Sequence, residues 1–432
     1  MNVTIKPSTI GGTVQAIASK SVAHRAIICA AFADKPTHVI CNTTCEDIES
    51  TIACLVSLGV QIDTCCDGFI VTPIDITQPL NTPVTLDCHE SGSTLRFLLP
   101  VCAALNNNTT FTGADQLIAR PLDALVQEMY IAGCMFTNIS TFPFTCTGQL
   151  RSGKFELPGN TSSQYISGLL LAAPLMNAQC HGTTSILVHG AIQSLPYVQL
   201  TINILKEFGV EVSLTHDDEK DTTIYEISSR TLTSPETIAI EGDWSNAAAL
   251  LSMGALSKNT VEVEGLNLLS AQGDRTIMAI LSRFGAVCRR KSRCASVHFQ
   301  KLQSFEIDMS DYPDLVPALA AVASVAAGTT VFKNCGRLRY KESNRLETIA
   351  ATINALGGQA TIFDDELHIT GVYKLRGGSV SSYHDHRIVM LASIASLVCD
   401  NPVVITEAEA INKSYPSFFD DFAALGATIS FD

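Results

Sequence analysis

One pattern of polar and apolar positions repeats six times along the chain. Each copy opens with a short polar cluster that leads into an Ala- and Leu-rich stretch of helical length. These stretches are apolar on nearly every side, as in 166–176 and 315–327, so they predict helices that are buried all round. The six polar openings are 19–21, 91–94, 162–164, 243–246, 311–314 and 384–387.

A second, amphipathic helix pattern follows each opening helix and ends on a glycine. Glycine directly after the last apolar helical position is a common helix stop, because it adopts the left-handed conformation without strain. Glycines that recur in register in this way indicate an internal repeat. They are Gly59, Gly133, Gly209, Gly285, Gly357 and Gly426.

The repeat predicts an α/β protein of two similar domains, with three repeats in each and with sheets wrapped around buried helices. A chain of 432 residues has the length for this arrangement. We expect the boundary in the polar segment 228–237, so that residues 19–231 form one domain. Residues 1–18 and 232–432 form the other, which the N-terminal strand completes. Buried helix N-termini attract anions, so an active site is expected in the cleft between the domains.

Composition excludes several classes of protein. The formal net charge of −14 argues against a nucleic-acid binder, although a local cation cluster still suits small anionic ligands. The N-terminal residues have no signal-peptide pattern, and the most apolar run, 315–327, is too short to span a membrane. The 15 cysteines form no C-x-x-C pair, so they are interpreted as buried residues of a reduced cytoplasm, and no zinc site is expected.

The most highly charged stretch, 337–345, holds four cations and one carboxylate in a chain with 16% charged residues. The apolar positions that follow predict a helix beginning near its end. Lys341 and Arg345 are then one helical turn apart and repel each other. This repulsion predicts an anion between them. A charged helix start exposed to solvent is the alternative interpretation.

Other openings supply candidate ligands and acids. Together the cations suffice for two polyanionic ligands, at about 1.5–3 kcal/mol for each charge-assisted contact. Asp314 and Glu342 would form a pair for proton transfer if they meet. His384 and His386 form an H-x-H pair without a third ligand pattern, so no metal is predicted. Taken singly, the 91–94 and 311–314 openings are also explained as helix N-caps, and Lys20 and Arg25 as surface charges. The candidate cations are Lys20, Arg25, Arg120, Lys341, Arg345, Arg387 and Lys413.

In their order and spacing, these motifs resemble the enolpyruvyl transferases over the whole chain. The resemblance implies two domains of three βαβαββ units, an inside-out α/β barrel fold. The motifs are Ser19-Lys20-Ser21-x-x-x-Arg25, Ser91-Gly92-Ser93-Thr94-Leu95-Arg96, Ala119-Arg120-Pro121-Leu122, Ser162-Ser163-Gln164-Tyr165, Tyr312-Pro313-Asp314, Lys341-Glu342-Ser343-Asn344-Arg345, Asp385-His386-Arg387 and Lys413.

The resemblance also implies an activity. The expected reaction transfers the enolpyruvyl group of phosphoenolpyruvate to the 5-hydroxyl of shikimate 3-phosphate and releases phosphate, as a step toward chorismate and the aromatic amino acids. It implies no metal or organic cofactor, a monomer as the expected state, and inhibition by glyphosate. One motif departs from the common Asn-Ala-Gly-Thr form, since Glu90-Ser91-Gly92-Ser93 stands in its place.

Site residues follow from the same resemblance. Asp314 is the expected base at the hydroxyl, and Glu342, together with Lys20, is expected to move the proton at C3. Arg337 stands where some relatives have asparagine and receives no role. The residues expected to bind shikimate 3-phosphate are Lys20, Ser21, Arg25, Ser162, Ser163, Gln164, Ser194, Tyr197, Asp314 and Lys341. Those expected to bind phosphoenolpyruvate are Lys20, Gly92, Arg120, Gln164, Arg345, His386, Arg387 and Lys413.

Two alternative functions remain open at this point. An enolpyruvyl transferase acting on UDP-N-acetylglucosamine typically has a catalytic cysteine in the loop before its arginine, and 113–120 contains none. A non-catalytic anion-binding protein on the same scaffold would not need Glu342 beside Lys341. Both alternatives are therefore disfavoured.

Overall fold

The computed structural model describes residues 1–76, 83–106 and 108–432. The chain divides into two compact domains. The continuous domain comprises Lys20–Ile240, and the discontinuous domain comprises Met1–Ser19 and Glu241–Asp432. Over the described residues, the strands form six four-stranded sheets, and each domain contains three of them.

The chain begins in the discontinuous domain, passes through the continuous domain and returns to the discontinuous domain. The first two strands, in the discontinuous domain, are β1 (Val3–Lys6) and β2 (Gly12–Gln15). Those of the continuous domain are β3 (Thr37–Ile40), β4 (Gln61–Cys65), β5 (Gly68–Thr72), β6 (Val84–Asp87), β7 (Thr109–Thr112), β8 (Cys134–Thr137), β9 (Phe144–Gly148), β10 (Lys154–Pro158), β11 (Thr184–His189), β12 (Ser213–Asp217), β13 (Thr222–Ile227) and β14 (Thr237–Ala239). The remaining strands of the discontinuous domain are β15 (Val261–Glu264), β16 (Val287–Lys291), β17 (Cys294–His298), β18 (Glu306–Asp308), β19 (Thr329–Lys333), β20 (Gln359–Phe363), β21 (Glu366–Thr370), β22 (Gly378–Ser381), β23 (Val403–Thr406) and β24 (Thr428–Phe431).

The helices alternate with these strands. Those of the continuous domain are α1 (Lys20–Ala31), α2 (Glu46–Ser57), α3 (Gly92–Ala104), α4 (Asp115–Ile118), α5 (Asp123–Ile131), α6 (Ser163–Cys180) and α7 (Leu195–Glu207). Those of the discontinuous domain are α8 (Trp244–Leu256), α9 (Ile277–Phe284), α10 (Val316–Ala323), α11 (Arg345–Ala355), α12 (His386–Ser396) and α13 (Phe418–Ala424). Short 3₁₀ helices lie at Gly273–Thr276, Pro313–Leu315, Gly336–Tyr340 and Ala408–Lys413.

All six sheets share one topology. In the sheet β6-β7-β9-β8, the parallel strands β6 and β7 are joined through α3, and β9 then pairs antiparallel with both β7 and β8. The order along the chain is βαβαββ. In the sheet β22-β23-β1-β24, the N-terminal strand β1 fills the sixth place of the repeat. In the sheet β14-β3-β5-β4, the first strand of the repeat is β14, which is the last strand of its domain along the chain.

The boundary between the domains lies at residues 240 and 241, later than residue 231 where the sequence predicted it. The reason is β14, which pairs parallel with β3 in the register Thr237↔His38 and so belongs to the continuous domain. Ser19 falls in the discontinuous domain instead of the continuous one, because its N–H donates to the Glu241 carbonyl at 2.8 Å. A three-residue strand at the end of a polar segment has too short an apolar run to be recognised from sequence.

The buried helices and the α/β class are confirmed. Every residue of α10 is buried, and α8, α10 and α12 pack against one another, as α3 packs along α6 in the other domain. Strands such as β10 alternate between buried and exposed residues, as expected when one face packs on helices and the other faces solvent. The six glycines of the repeat all have positive φ, between 73° and 112°, so each is a left-handed helix stop. No helix in the described ranges is long and apolar enough to cross a membrane.

Candidate active site

The polar openings of the discontinuous domain lie at the N-termini of its buried helices. Asp314 lies in the 3₁₀ turn directly before α10, Arg345 begins α11, and His386 begins α12. Asp385 caps α12 by accepting a hydrogen bond from the N–H of Arg387 at 2.9 Å. A cap of this kind fixes the direction of the helix start, so the side chains that follow have a defined position.

Arg345 is the centre of the cluster in this domain. Arg345 is 1% exposed, and its guanidinium donates to three carboxylates. Nη1 is 2.6 Å from Asp314 Oδ1, Nη2 is 2.5 Å from Glu342 Oε2, and Nε is 2.8 Å from Asp385 Oδ2. Burial opposes the positive charge, but Asp385, Glu342 and Asp314 outweigh it and raise the pKa of Arg345 above its ordinary value. The two candidate acids, Asp314 and Glu342, therefore meet on one cation.

Lys341 shares an anion with Arg345. Its Nζ lies 3.0 Å from Asp314 Oδ1, the same oxygen that accepts from Arg345, so Asp314 occupies the position between the two cations where the sequence predicted an anion. Burial acts to raise the pKa of Asp314, but the charges of Lys341, Arg345 and Arg387 hold it well below its ordinary range. Burial, together with the charges of Arg345 and Arg337, lowers the pKa of Lys341 despite its carboxylate partner.

Two more cations of the domain lie beside the start of α8. Arg387 donates from Nη1 to the Ser245 carbonyl at 2.7 Å and from Nη2 to Ser245 Oγ at 2.5 Å. Its Nε is buried and has no hydrogen-bond partner among the described residues. Lys413 is buried at the end of a 3₁₀ helix, and Ser414 after it accepts from Asn246 Nδ2 at 3.2 Å. A buried, partly unused guanidinium is suited to an anionic ligand.

The cluster of the continuous domain surrounds Gly92 at the start of α3. Gln164 Oε1 accepts from Arg96 Nη1 at 3.0 Å, while Gln164 Nε2 donates to Ser93 Oγ at 3.0 Å. A Cβ placed on Gly92 would lie 2.7 Å from Arg96 Nη1 and 3.2 Å from Arg120 Nη1. Gly92 therefore faces two guanidinium groups. The Nε of Arg120 is buried, with no hydrogen-bond partner in the described part of the chain.

Lys20, the first residue of α1, forms an ion pair with Asp47 of α2 at 2.7 Å. The main-chain carbonyl of Asp47 in turn lies 3.5 Å from the hydroxyl of Thr94 in the first turn of α3. The starts of α1, α2 and α3 are thus connected. Because Asp47 opposes the charge of Lys20, an anionic ligand would have to compete with it.

Arg25 is directed at protein groups in this structure. The residue is 2% exposed, and its guanidinium donates to Thr201 Oγ1 at 2.7 Å, to the Ser21 carbonyl at 2.6 Å and to the Tyr197 carbonyl at 3.1 Å. It also lies 4.8 Å from the ring centroid of Phe97. Burial lowers the pKa of Arg25 to about 10. These contacts hold α1 against α3 and α7, and the predicted contact with a ligand phosphate stays a prediction.

The four candidate serines lie at helix starts, and Ser21 is the second residue of α1. Ser162 caps α6 by accepting from the N–H of Gln164 at 3.3 Å. Ser163 is the buried first residue of α6. Ser194 precedes α7 and is buried with φ of 55°, a left-handed conformation that is uncommon outside glycine. Ser163 and Ser194 therefore stand at helix N-termini, whose N–H groups suit an anion.

Three charged residues near these groups were not among the predicted site residues. Asp385 could have been found, since it stands in the 384–387 opening at an N-cap position. Arg96 lies in the glycine motif 91–96 but received no role of its own. Asp47 carried no signal, because it is one of three acidic residues in the first turn of α2, where acidic residues are ordinary. Arg337, left without a role, has its charge close enough to Lys341 to lower the pKa of that amine.

A buried histidine supports the start of α3. His24 is fully buried, and its Nδ1 lies 2.8 Å from Thr51 Oγ1, which lies 2.7 Å from Thr94 Oγ1. Thr94 Oγ1 donates to Ser91 Oγ, the N-cap of α3, at 2.7 Å. This hydrogen-bonded chain connects α1 to the residue before Gly92. Burial, with the charges of Lys20 and Arg25, lowers the pKa of His24 to about 3.

Acid is expected to destabilise the protein through His24. Between the unfolded pKa of about 6.5 and the lowered folded pKa, the unfolded chain binds a proton that the folded chain does not, so stability falls as the pH falls. From about pH 7.5 to about pH 5, the wild type should lose about 2 kcal/mol more unfolding free energy than His24→Asn. Denaturant titrations at both pH values measure this difference. His216→Asn, at an exposed histidine, is the matched control, and equal pH dependence of wild type and His24→Asn would contradict the assignment.

The structure brings the predicted residues together in two groups. Asp314, Lys341, Glu342, Arg345 and Arg387 interact within the discontinuous domain. Gly92, Arg120 and Gln164 lie together in the continuous domain. Each group combines cations with polar groups at buried helix starts, so each can bind an anion, and the first also carries carboxylates able to move protons.

Comparisons with known proteins agree with these observations. A family model described as EPSP synthase (3-phosphoshikimate 1-carboxyvinyltransferase) matches residues 5–422. The 3-phosphoshikimate 1-carboxyvinyltransferase of Clostridium kluyveri is 38% identical over 435 residues, which cover 99% of this chain and 98% of that protein. The enzyme of the same name from Brachyspira hyodysenteriae is 37% identical over 434 residues, covering 99% of this chain and 100% of the relative.

Solved structures share the fold. The EPSP synthase of Acinetobacter baumannii superposes with a TM-score of 0.79 at 24% identity and covers 100% of both chains. An enolpyruvyl transferase of Streptomyces tendae gives a TM-score of 0.74 at 17% identity, covering 99% of this chain and 98% of the other. On the family match and the curated relatives, the chain belongs to the EPSP synthase (3-phosphoshikimate 1-carboxyvinyltransferase) family.

Proposed function

We infer that this protein transfers the enolpyruvyl group of phosphoenolpyruvate to the 5-hydroxyl of shikimate 3-phosphate, giving 5-enolpyruvylshikimate 3-phosphate and phosphate. This reaction belongs to the shikimate pathway, which leads to chorismate and the aromatic amino acids. The observation that carries the inference is the Arg345 cluster, in which two candidate acids meet on one buried cation in a chain of this family. No metal or organic cofactor is needed for the steps below.

Both substrates are polyanions, and we propose that each contacts cations of both domains. Support comes from the guanidinium groups of Arg120 and Arg96 facing Gly92, and from the buried Nε of Arg387. The proposed ligands of shikimate 3-phosphate are Lys20, Ser21, Arg25, Ser162, Ser163, Gln164, Ser194, Tyr197, Asp314 and Lys341. The proposed ligands of phosphoenolpyruvate are Lys20, Gly92, Arg120, Gln164, Arg345, His386, Arg387 and Lys413.

The reaction needs protons to move in both directions. In the addition step, C3 of phosphoenolpyruvate gains a proton while the 5-hydroxyl loses one and its oxygen bonds to C2. The tetrahedral adduct then expels phosphate, and C3 gives up a proton to restore the double bond. We assign the C3 proton to Glu342, assisted by Lys20, and the hydroxyl proton to Asp314. A group that gives and then takes a proton must be accessible to C3 of the substrate in both steps. The side chain of Glu342 is 15% exposed and so is accessible to a ligand.

The low pKa of Asp314 bears on its role as base. In the structure, Lys341 and Arg345 both neutralise this carboxylate, which makes it a weak proton acceptor. The phosphate and carboxylate groups of the substrates would compete for the same two cations. Once these cations bind substrate, less positive charge acts on Asp314 and its basicity rises. The carboxylate would thus become an effective base only in the substrate complex.

Substrate binding is expected to bring the two domains together, because the proposed ligands of each substrate come from both. The active site in an interdomain cleft stays a prediction, and closure would exclude water from it. Small-angle scattering should give a smaller radius of gyration with saturating shikimate 3-phosphate than without ligand. An unchanged radius at full occupancy would contradict closure. Shikimate without the phosphate is the matched control ligand.

Oligomeric state and location are two further proposals. We propose a monomer, since the ligands assigned above all come from one chain; the molecular mass by light scattering tests this. We propose a cytoplasmic enzyme, since most of its 15 cysteines are buried as small apolar residues, as in proteins of reducing compartments. Fractionation of the native cells would test the location.

Release of phosphate tests the proposed function. Purified protein with phosphoenolpyruvate should release phosphate only when shikimate 3-phosphate is also present. UDP-N-acetylglucosamine is the control acceptor, since related enolpyruvyl transferases act on it. Release of phosphate with this acceptor and not with shikimate 3-phosphate would show that the protein transfers the enolpyruvyl group to UDP-N-acetylglucosamine instead. Tight binding of both anions without any release would instead indicate a non-catalytic anion-binding protein.

A further inference from the structure

A cluster of metal-binding side chains lies in the β14-β3-β5-β4 sheet of the continuous domain, apart from every residue assigned to the substrates. His38 lies on β3, Cys65 ends β4, and Asp67 stands in the turn that joins β4 to β5. Their donor atoms all lie within 4.8 Å of one another, the one such group of histidine, cysteine and acidic residues in the part of the chain that the structure describes. Spacing along the sequence does not show this group, because β3 and the β4–β5 hairpin are brought together only by sheet pairing.

The distances between the donors are close to those of a tetrahedral zinc site. Cys65 Sγ is 3.6 Å from His38 Nε2 and 3.4 Å from Asp67 Oδ1. Zinc–ligand bonds of about 2.3 Å to sulfur and about 2.0–2.2 Å to nitrogen and oxygen place tetrahedral donors about 3.4–3.6 Å apart. His38 Nε2 and Asp67 Oδ1 are 2.9 Å apart, held by a hydrogen bond, and would separate by about half an ångström around a metal.

The types of ligand favour zinc over the common hard cations. One imidazole nitrogen, one thiolate and one carboxylate form a mixed set that suits Zn²⁺, whereas Mg²⁺ and Ca²⁺ prefer oxygen ligands throughout. The ionised Cys65 and Asp67 side chains would together neutralise the charge of a divalent ion. Binding would release the thiol proton of Cys65, while the proton of a neutral His38 would be carried on Nδ1 so that Nε2 can bind the metal.

The backbone holds these donors in place without the metal. The Asp67 carbonyl accepts from the N–H of Cys41 at 2.8 Å, which ties the turn to the end of β3. Gly68, directly after the turn, has φ of 155°, and a Cβ there would lie 2.0 Å from the Val39 carbonyl oxygen. A side chain at residue 68 would collide with β3, so glycine is what lets the hairpin lie this close to β3. Little rearrangement is needed for the side chains to bind an ion.

We propose that His38 Nε2, Cys65 Sγ and Asp67 Oδ1 form a zinc-binding site, with a fourth coordination position open to water. The side chains of His38 and Asp67 are 29% and 46% exposed, so the ion exchanges with solvent and is not a permanently buried structural metal. The neighbouring thiol of Cys66 is exposed and lies 3.8 Å from Asp67 Oδ1, outside the set of three. The site is independent of the proposed transferase activity.

Cobalt titration of the reduced, metal-free protein tests this site, because Co²⁺ accepts the same ligands and reports thiolate binding by a charge-transfer absorption band. The expected result is such a band that saturates at one Co²⁺ per chain and disappears when one equivalent of Zn²⁺ is added. Zinc should also raise the midpoint of thermal unfolding of the wild type, since a ligand that binds only the folded state stabilises it.

The adjacent cysteines provide a matched pair of variants. Cys65→Ser should abolish the charge-transfer band and the rise of the unfolding midpoint, while Cys66→Ser should retain both. His38→Asn should weaken zinc binding by more than the 10–100-fold that is typical of outer-shell ligand partners. No band in the wild type, a band that persists in Cys65→Ser, or loss of the band in Cys66→Ser alone would overturn the proposal.

Discussion

Replacing Glu342 by glutamine is expected to lower kcat by about 10²–10⁴-fold while leaving the affinity for shikimate 3-phosphate largely unchanged. The amide keeps the shape of the side chain and can still accept from Arg345 Nη2, which lies 2.5 Å from the carboxylate. It cannot give and take a proton at C3 of phosphoenolpyruvate. Steady-state kinetics and a binding titration with shikimate 3-phosphate measure the two effects separately.

Isotope exchange makes this test specific. In deuterated water, the wild type should incorporate deuterium at C3 of phosphoenolpyruvate through the reversible addition of shikimate 3-phosphate. Glu342→Gln should incorporate deuterium far more slowly. The matched control is Glu347→Gln, at an exposed glutamate in the first turn of α11, which should behave as the wild type. Near-normal turnover of Glu342→Gln would show that the assigned role is wrong.

Replacing Gly92 by alanine is expected to raise the inhibition constant of glyphosate by about 10–100-fold and the KM for phosphoenolpyruvate much less, since one forced methyl contact costs about 1–3 kcal/mol. The new methyl group would lie 2.7 Å from Arg96 Nη1 and 3.2 Å from Arg120 Nη1. Both guanidinium groups would have to move, and the longer inhibitor has less room to follow them than the compact substrate. Inhibition kinetics on the wild type and on Gly92→Ala measure how far the inhibition constant and the KM each change.

The backbone allows this substitution. Gly92 does not have the positive φ of the helix-stop glycines, and the Ser91 cap of α3 is retained, so the unfolding midpoint should change little. The atoms that must move are the ends of flexible side chains, which is a small cost. Equal losses for inhibitor and substrate would mean that Gly92 is a packing residue and that phosphoenolpyruvate binds elsewhere.

The fold could be predicted because its repeat leaves two independent signals in the sequence. Helices apolar on every side, such as α10, have to be buried, and a glycine ends the second helix of each repeat at positive φ. The end of the continuous domain was placed too early, because β14 has only three residues, at the end of a polar segment, and is identified only by its pairing with β3.

The candidate site was predictable as far as local motifs reach. Cations at the helix openings are visible in sequence, and so is the repulsion that places an anion between Lys341 and Arg345. The identity of that anion is not, because Asp314 lies before α10, the other helix of the same repeat, and only packing brings it to the start of α11. The pairing of Lys20 with Asp47 and the satisfied donors of Arg25 likewise depend on packing between helices. Motifs locate charges, but the tertiary structure decides which of them are neutralised.

Phosphorus NMR of one reaction mixture tests the central claim most directly. With equal amounts of phosphoenolpyruvate and shikimate 3-phosphate, the signals of both substrates should decrease together. Inorganic phosphate and a single new phosphate monoester, that of 5-enolpyruvylshikimate 3-phosphate, should appear in equal amounts. Phosphate without a new ester, or no reaction while both substrates are bound, would contradict the proposed transfer.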